Sequence, residues 1–95
     1  MFDLLIKNAV IIDGSGSGRY KGEIGIIGDK IAKIAPSLED SAKKTVDAKG
    51  NVVCPGFIDA HGHSDFTLFV NNRGESKIRQ GITTEVTGNC GFTAG

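Results

Sequence analysis

A chain of 95 residues suits one small domain with a modest core and is far too short for a complete parallel α/β barrel, which needs about 250. Eleven basic and eleven acidic side chains cancel, so no net charge draws it towards nucleic acid or an anionic membrane. Glycine, 14 of 95 residues, is about twice its usual share of ~7%; with two prolines and no low-complexity tract, it marks turn-rich β structure rather than disorder.

The first residues, Met1 to Lys7, lack the basic flank, long apolar run and small-residue cleavage site of a signal peptide. No apolar stretch approaches the ~18 residues of a membrane span. Cys54 and Cys90 belong to no paired motif, so a disulfide scaffold is not expected. These features predict a soluble, cytoplasmic protein with reduced thiols.

Phe2 to Ile12 is rich in Leu, Ile and Val, is broken at Lys7-Asn8, and runs into Asp13-Gly-Ser-Gly-Ser-Gly18, a turn. That glycine run has neither the Lys-Ser/Thr ending nor the G-x-G-x-x-G spacing of a phosphate loop. Two short strands follow, Ile24 to Ile27 and Ile31 to Ile34, across Gly28-Asp29-Lys30, where Gly-Asp favours a hairpin. Thr45 to Ala48 and Asn51 to Cys54 predict two more. Residues 1–54 thus read as a β-meander, partly sandwich-like, with Cys54 as a small buried hydrophobe.

The pattern then changes. Pro55 to His61 predicts a compact strand, and Ile82 to Thr87 a β-branched one. Between them lie Ser64 to Gly81, with a helical candidate at Glu75 to Gln80. A strand, a crossover longer than a dozen residues and a second strand predict a parallel β-α-β unit. Two parallel strands under one short helix make an unfinished fold, so the chain is expected to stop in mid-fold and to self-associate through its open edges.

Both histidines of the chain sit in His61-Gly62-His63, at the carboxyl end of the first of these strands. Side chains alternate along a strand, so His61 and His63 share a face with only Gly62 between them. Two imidazoles so placed can bite one zinc-like cation. The second strand delivers Gly88-Asn89-Cys90-Gly91 at its own carboxyl end, the end where ligands gather in parallel α/β folds. Neighbouring strands lie about 4.8 Å apart, so the Cys90 thiolate could join the histidines. Asp59 shares the histidine face. Asp65 is either a carboxylate orienting a histidine or the N-cap of the next segment, and Asp59 carries the same ambiguity.

At these residues the sequence resembles the metal-dependent amidohydrolase superfamily. The resemblance rests on Val53-Cys-Pro-Gly-Phe-Ile-Asp-Ala-His-Gly-His63 and Gly81-Ile-Thr-Thr84. Thr87-Gly-Asn-Cys-Gly91 is similar to the D-aminoacylase branch, the N-acyl-D-amino-acid deacylases. The resemblance covers essentially all 95 residues, which would be about the first fifth of a full member. It implies a mixed α/β, mostly β fold: residues 1–54 as the N-terminal share of a small β-sandwich, and residues 55–95 as strand one, helix and strand two of a (β/α)8 barrel.

It also implies a site of one or two zinc ions, with His61 and His63 in one metal position and Cys90 in a second, tighter one. The implied reaction is hydrolysis of the amide bond of a small N-acyl-D-amino acid, by metal-activated water and a general-base aspartate from the last barrel strand. Later histidines and that aspartate have no counterpart here, so the chain alone is expected to be inactive. The alternatives are a dihydroorotase- or dihydropyrimidinase-like cyclic amidohydrolase, against which Cys90 argues, and a non-catalytic structural module.

Overall fold

The computed structural model describes residues 1–91. The chain divides into two compact units between Pro55 and Gly56, each with its own sheet. The described structure is mostly β, with two short helices.

In the first unit, β1 (Phe2–Ile11), β2 (Tyr20–Ile27) and β3 (Lys30–Ala35) form an antiparallel meander. Ile27 faces Lys30 across the Gly28-Asp29 turn, where Gly28 takes φ 61°. The next two strands depart from the expected meander. Both β4 (Ala42–Asp47) and β5 (Val52–Val53) run parallel to β1, β4 along Phe2–Lys7 and β5 along Val10–Ile11. The link between β3 and β4 carries the chain to the far side of β1, and Leu38 within it is fully buried. After Val53 the chain leaves the sheet, so Cys54 is exposed rather than buried as its apolar neighbours suggested.

The break at Lys7-Asn8 is a β-bulge. Ile6 pairs with Ile24 and Ala9 with Gly22, so Lys7 and Asn8 together oppose Glu23. Asn8 takes φ 54°, a left-handed conformation that asparagine tolerates better than most residues. One extra residue inverts the alternation of side chains along the rest of β1. Ala9 and Ile11 therefore join Ile6, Ile24 and Ala48 in one apolar cluster, while Phe2, Leu5 and Leu38 form another.

Glu23 is buried beside the bulge, and its carboxylate accepts main-chain N–H groups from Leu38 at 2.9 Å and Asn8 at 3.2 Å. The Leu38 bond, aided by the Asn8 bond and the Lys7 charge, outweighs desolvation and holds this carboxyl below the ordinary glutamate value. A depressed folded-state pKa contributes stability above the unfolded value, 4.5, that is lost as pH falls through the folded one.

The second unit begins with β6 (Phe57–Asp59), followed by α1 (Ser64–Thr67), α2 (Glu75–Ile78) and β7 (Ile82–Glu85), then a 3-10 turn, Asn89–Gly91. β6 and β7 pair in parallel, Phe57 with Ile82, Ile58 with Thr84 and Asp59 with Glu85. α2 falls inside the predicted helical stretch, and α1 has no counterpart in the sequence reading. Both strands are shorter than predicted, and the last four positions of the expected 55–95 segment lie outside the described residues. Among the described residues no helix is long and apolar enough to cross a membrane.

Glu23→Ala, which strips the acceptor from the buried Leu38 N–H, is expected to cost about 1–3 kcal/mol in urea unfolding at neutral pH. Glu23→Gln removes the titrating group, so its stability should fall less steeply than the parent's as pH drops below the glutamate range. Parallel acid slopes for parent and Glu23→Gln would remove the carboxylate from this account.

Candidate metal centre

The end of β6 is shaped by its last residue. Asp59 Oδ1 accepts the N–H of His61, two residues ahead, at 3.2 Å, and this bends the chain out of the strand. His61 and His63 therefore lie beyond the strand, and their shared side comes from this bend rather than from alternation along an extended segment. Their rings stand edge to face, centroids 5.2 Å apart. His63 occupies the N-cap position of α1 without a side-chain capping bond; Asp65 lies in the helix's first turn, so the N-cap reading of Asp65 does not hold.

Asp59 Oδ2 meets Lys77 Nζ at 2.7 Å, linking β6 to α2. Lys77 first, then the His61 N–H, pulls the Asp59 carboxyl below the usual aspartate value, while Asp59 raises the Lys77 ammonium. Asp59 is thus engaged in holding the bend.

Beyond the bend the two segments stay tied. The Val86 N–H donates to Asp59 O at 2.8 Å, and the Gly62 N–H donates to Val86 O at 2.9 Å. Asn89 Nδ2 donates to Gly62 O at 3.1 Å and to Val86 O at 2.8 Å. Glu85, the last residue of β7, accepts the Ser64 N–H at 2.9 Å. The roles of Lys77, Glu85 and Asn89 escaped the sequence reading. Each acts on main chain or on a partner many residues away, and no local spacing announces that.

On this frame Cys90 Sγ lies 3.4 Å from His61 Nε2. Cys90 takes φ 57° between Gly88 and Gly91, both at φ 77°, so three left-handed residues turn the loop back towards the histidines. One ligand atom each from His61, His63 and Cys90 lies within 4.8 Å of the others, and all three residues are exposed. The structure brings together all three residues singled out from the sequence.

The donor set suits zinc. Four-coordinate zinc takes imidazole nitrogen near 2.0–2.1 Å and thiolate sulfur near 2.3 Å, which places neighbouring donors roughly 3.5 Å apart. The Cys90–His61 separation already matches that edge, and the His63 donor lies within 4.8 Å of both.

Residues 44–95, more than half of the chain, match the sequence model of the amidohydrolase family. The chain belongs to that family. Among curated amidohydrolase relatives it is 45% identical over 92 residues to D-aminoacylase of Alcaligenes xylosoxydans xylosoxydans, a match spanning 97% of this chain and 19% of the relative. It is 46% identical over 92 residues to N-acyl-D-glutamate deacylase of the same organism, across 96% of this chain and 19% of that protein. The fold superposes on the crystal structure of N-acyl-D-glutamate deacylase from Bordetella bronchiseptica, complexed with zinc and a phosphonate inhibitor, with a TM-score of 0.93 and 40% identity. That superposition covers 99% of this chain and 20% of the other. The chain therefore spans about a fifth of the length of these amidohydrolases.

Zinc titration of the chain should give an affinity that His61→Ala, His63→Ala and Cys90→Ala each lower by at least tenfold. Three alanine variants that bind zinc as the parent does would remove the cluster as a metal site.

Proposed function

We propose that these residues form the N-terminal part of a zinc-dependent amidohydrolase that cleaves the amide bond of N-acyl-D-amino acids. The observation that carries this reading is the meeting of Cys90 with His61 and His63, since the cysteine is the feature that favours deacylases of this class over cyclic amidohydrolases. The activities named for the two relatives and for the superposed crystal structure point the same way. In this reading residues 1–54 are a share of a β-sandwich, and β6, the crossover and β7 open a (β/α)8 barrel whose carboxyl end holds the metal. The two cysteines left as free thiols favour the cytoplasm.

Within the reading, His61 and His63 hold metal through imidazole nitrogen and Cys90 through its thiolate, giving up its proton on binding. The chemistry a bound zinc supplies is polarisation of the amide carbonyl and activation of water near neutral pH. Two nearby carboxylates are already engaged: Asp59 by Lys77 and the His61 N–H, and Glu85 by the Ser64 N–H. The base belongs to another part of the whole enzyme.

Two outcomes follow for the chain by itself. It should release no amine from N-acetyl-D-amino acids above a metal-free blank, whereas a protein carrying these residues with the rest of a family-length chain should do so for D substrates and lose the activity to a chelator. Turnover by the 95 residues alone would contradict the placement of the base. The unpaired edges of the two-stranded sheet should also drive concentration-dependent association. A strictly monomeric species in light scattering at high concentration would count against that part.

A further inference from the structure

We infer that Glu85 is a positioning residue for the metal cluster, and that Gly62 is glycine because the Glu85 carboxylate occupies the place its β-carbon would take. The inference rests on the reading of His61, His63 and Cys90 as metal ligands.

The three donors are exposed, so little packing fixes their side chains directly. Their relative placement is inherited from the main chain between and around them, and Gly62 is where that main chain is held. Its N–H goes to Val86 O, its carbonyl accepts from Asn89, and the residue is buried although both neighbours are exposed. The third hold is Glu85. A β-carbon built on Gly62 would collide with Oε1, Cδ and Cγ of that side chain. Gly62 is not among the positive-φ glycines, so no left-handed φ demands glycine there. The demand for glycine comes from the Glu85 side chain, which would have to swing away and give up the Ser64 N–H to admit a β-carbon.

Glu85 also supplies what His63 omits. The N-cap histidine makes no side-chain bond to the first turn of α1, and Glu85 reaches from β7 to accept the Ser64 N–H instead. A carboxylate from one strand thus closes the helix start that follows the second histidine and lies against the residue between the two. Removing it would free the His61-Gly62-His63 bend without touching a ligand. Outer partners bonded directly to a ligand change metal affinity by ~10–100-fold, and Glu85, acting through the main chain, is expected at the lower end of that range.

The test is Co2+ titration of the 95-residue chain, read both as affinity and as the thiolate-to-cobalt charge-transfer band. Glu85→Gln keeps an acceptor oxygen and the shape, and should bind within about threefold of the parent, whereas Glu85→Ala should lose ~10-fold or more with a weakened band. Gly62→Ala should lose as much, and Gly62→Ala/Glu85→Ala should be no worse than Glu85→Ala, because the β-carbon then enters vacated space. Parental binding by Glu85→Ala, or losses that simply add in the double variant, would overturn the inference while leaving the ligands in place. Hydrogen exchange at the Ser64 amide without metal supplies an independent check: it should quicken in Glu85→Ala and stay parental in Glu85→Gln. If His61→Ala, His63→Ala and Cys90→Ala all bind cobalt as the parent does, the ligand reading fails, and unchanged Ser64 exchange in Glu85→Ala would sink the positioning role as well.

Discussion

Two main-chain hydrogen bonds to Val86 decide what the second unit can do. Its N–H is bound to Asp59 O and its carbonyl takes the Gly62 N–H, so the bend that follows β6 is clamped on both sides to the segment that follows β7. His61 and Cys90, 29 residues apart, reach 3.4 Å because of that clamp. Parallel pairing gives both strands the same direction, and therefore puts both of their carboxyl ends at one place. Everything chemical about the cluster descends from this alignment of backbone.

The two units solve a common problem in the same way. Where a strand departs from regular geometry, its main-chain N–H groups lose their ladder partners and need other acceptors. In the first unit Glu23 receives the N–H of Asn8 at the bulge and of Leu38 in the link. In the second, Asp59 receives the His61 N–H and Glu85 that of Ser64. A carboxylate accepting from backbone N–H groups makes a stronger bond than a neutral acceptor does. These acidic residues fix irregular backbone, which is a different task from proton transfer and explains why they are already engaged.

How much of this was legible in the sequence depends on the range of the interaction. The Gly28-Asp29 turn, the parallel pairing and the meeting of His61, His63 with Cys90 follow from local spacing and a general property of crossover units. The bulge showed only as an interruption at Lys7-Asn8; its consequence, inverted alignment of Ala9 and Ile11, depends on opposition by Glu23 across the sheet. The placement of β4 and β5 beside β1 was hidden because a short β-branched segment carries no mark of its partner. Asp59 stayed ambiguous for a similar reason. A carboxylate two residues before a histidine can bend the chain or orient the ring, and only the position of the His61 N–H and of Lys77 decides.

The loop that carries Cys90 shows why such a site belongs on strand ends rather than in free loops. A non-glycine residue at φ 57° is strained by on the order of 1–3 kcal/mol. That cost is bearable because Gly88 and Gly91 take the adjoining left-handed positions and Asn89 anchors the turn to Gly62 O and Val86 O. The same asparagine thus holds the backbone between the histidines and the backbone beside the cysteine. With the Val86 main-chain bonds and the Glu85 bond to Ser64 N–H, this side chain couples the two segments, so a shift of one is passed to the other. The exposed histidine and cysteine side chains inherit their placement from that tie, the Val86 clamp and the Glu85 contact with Ser64 N–H.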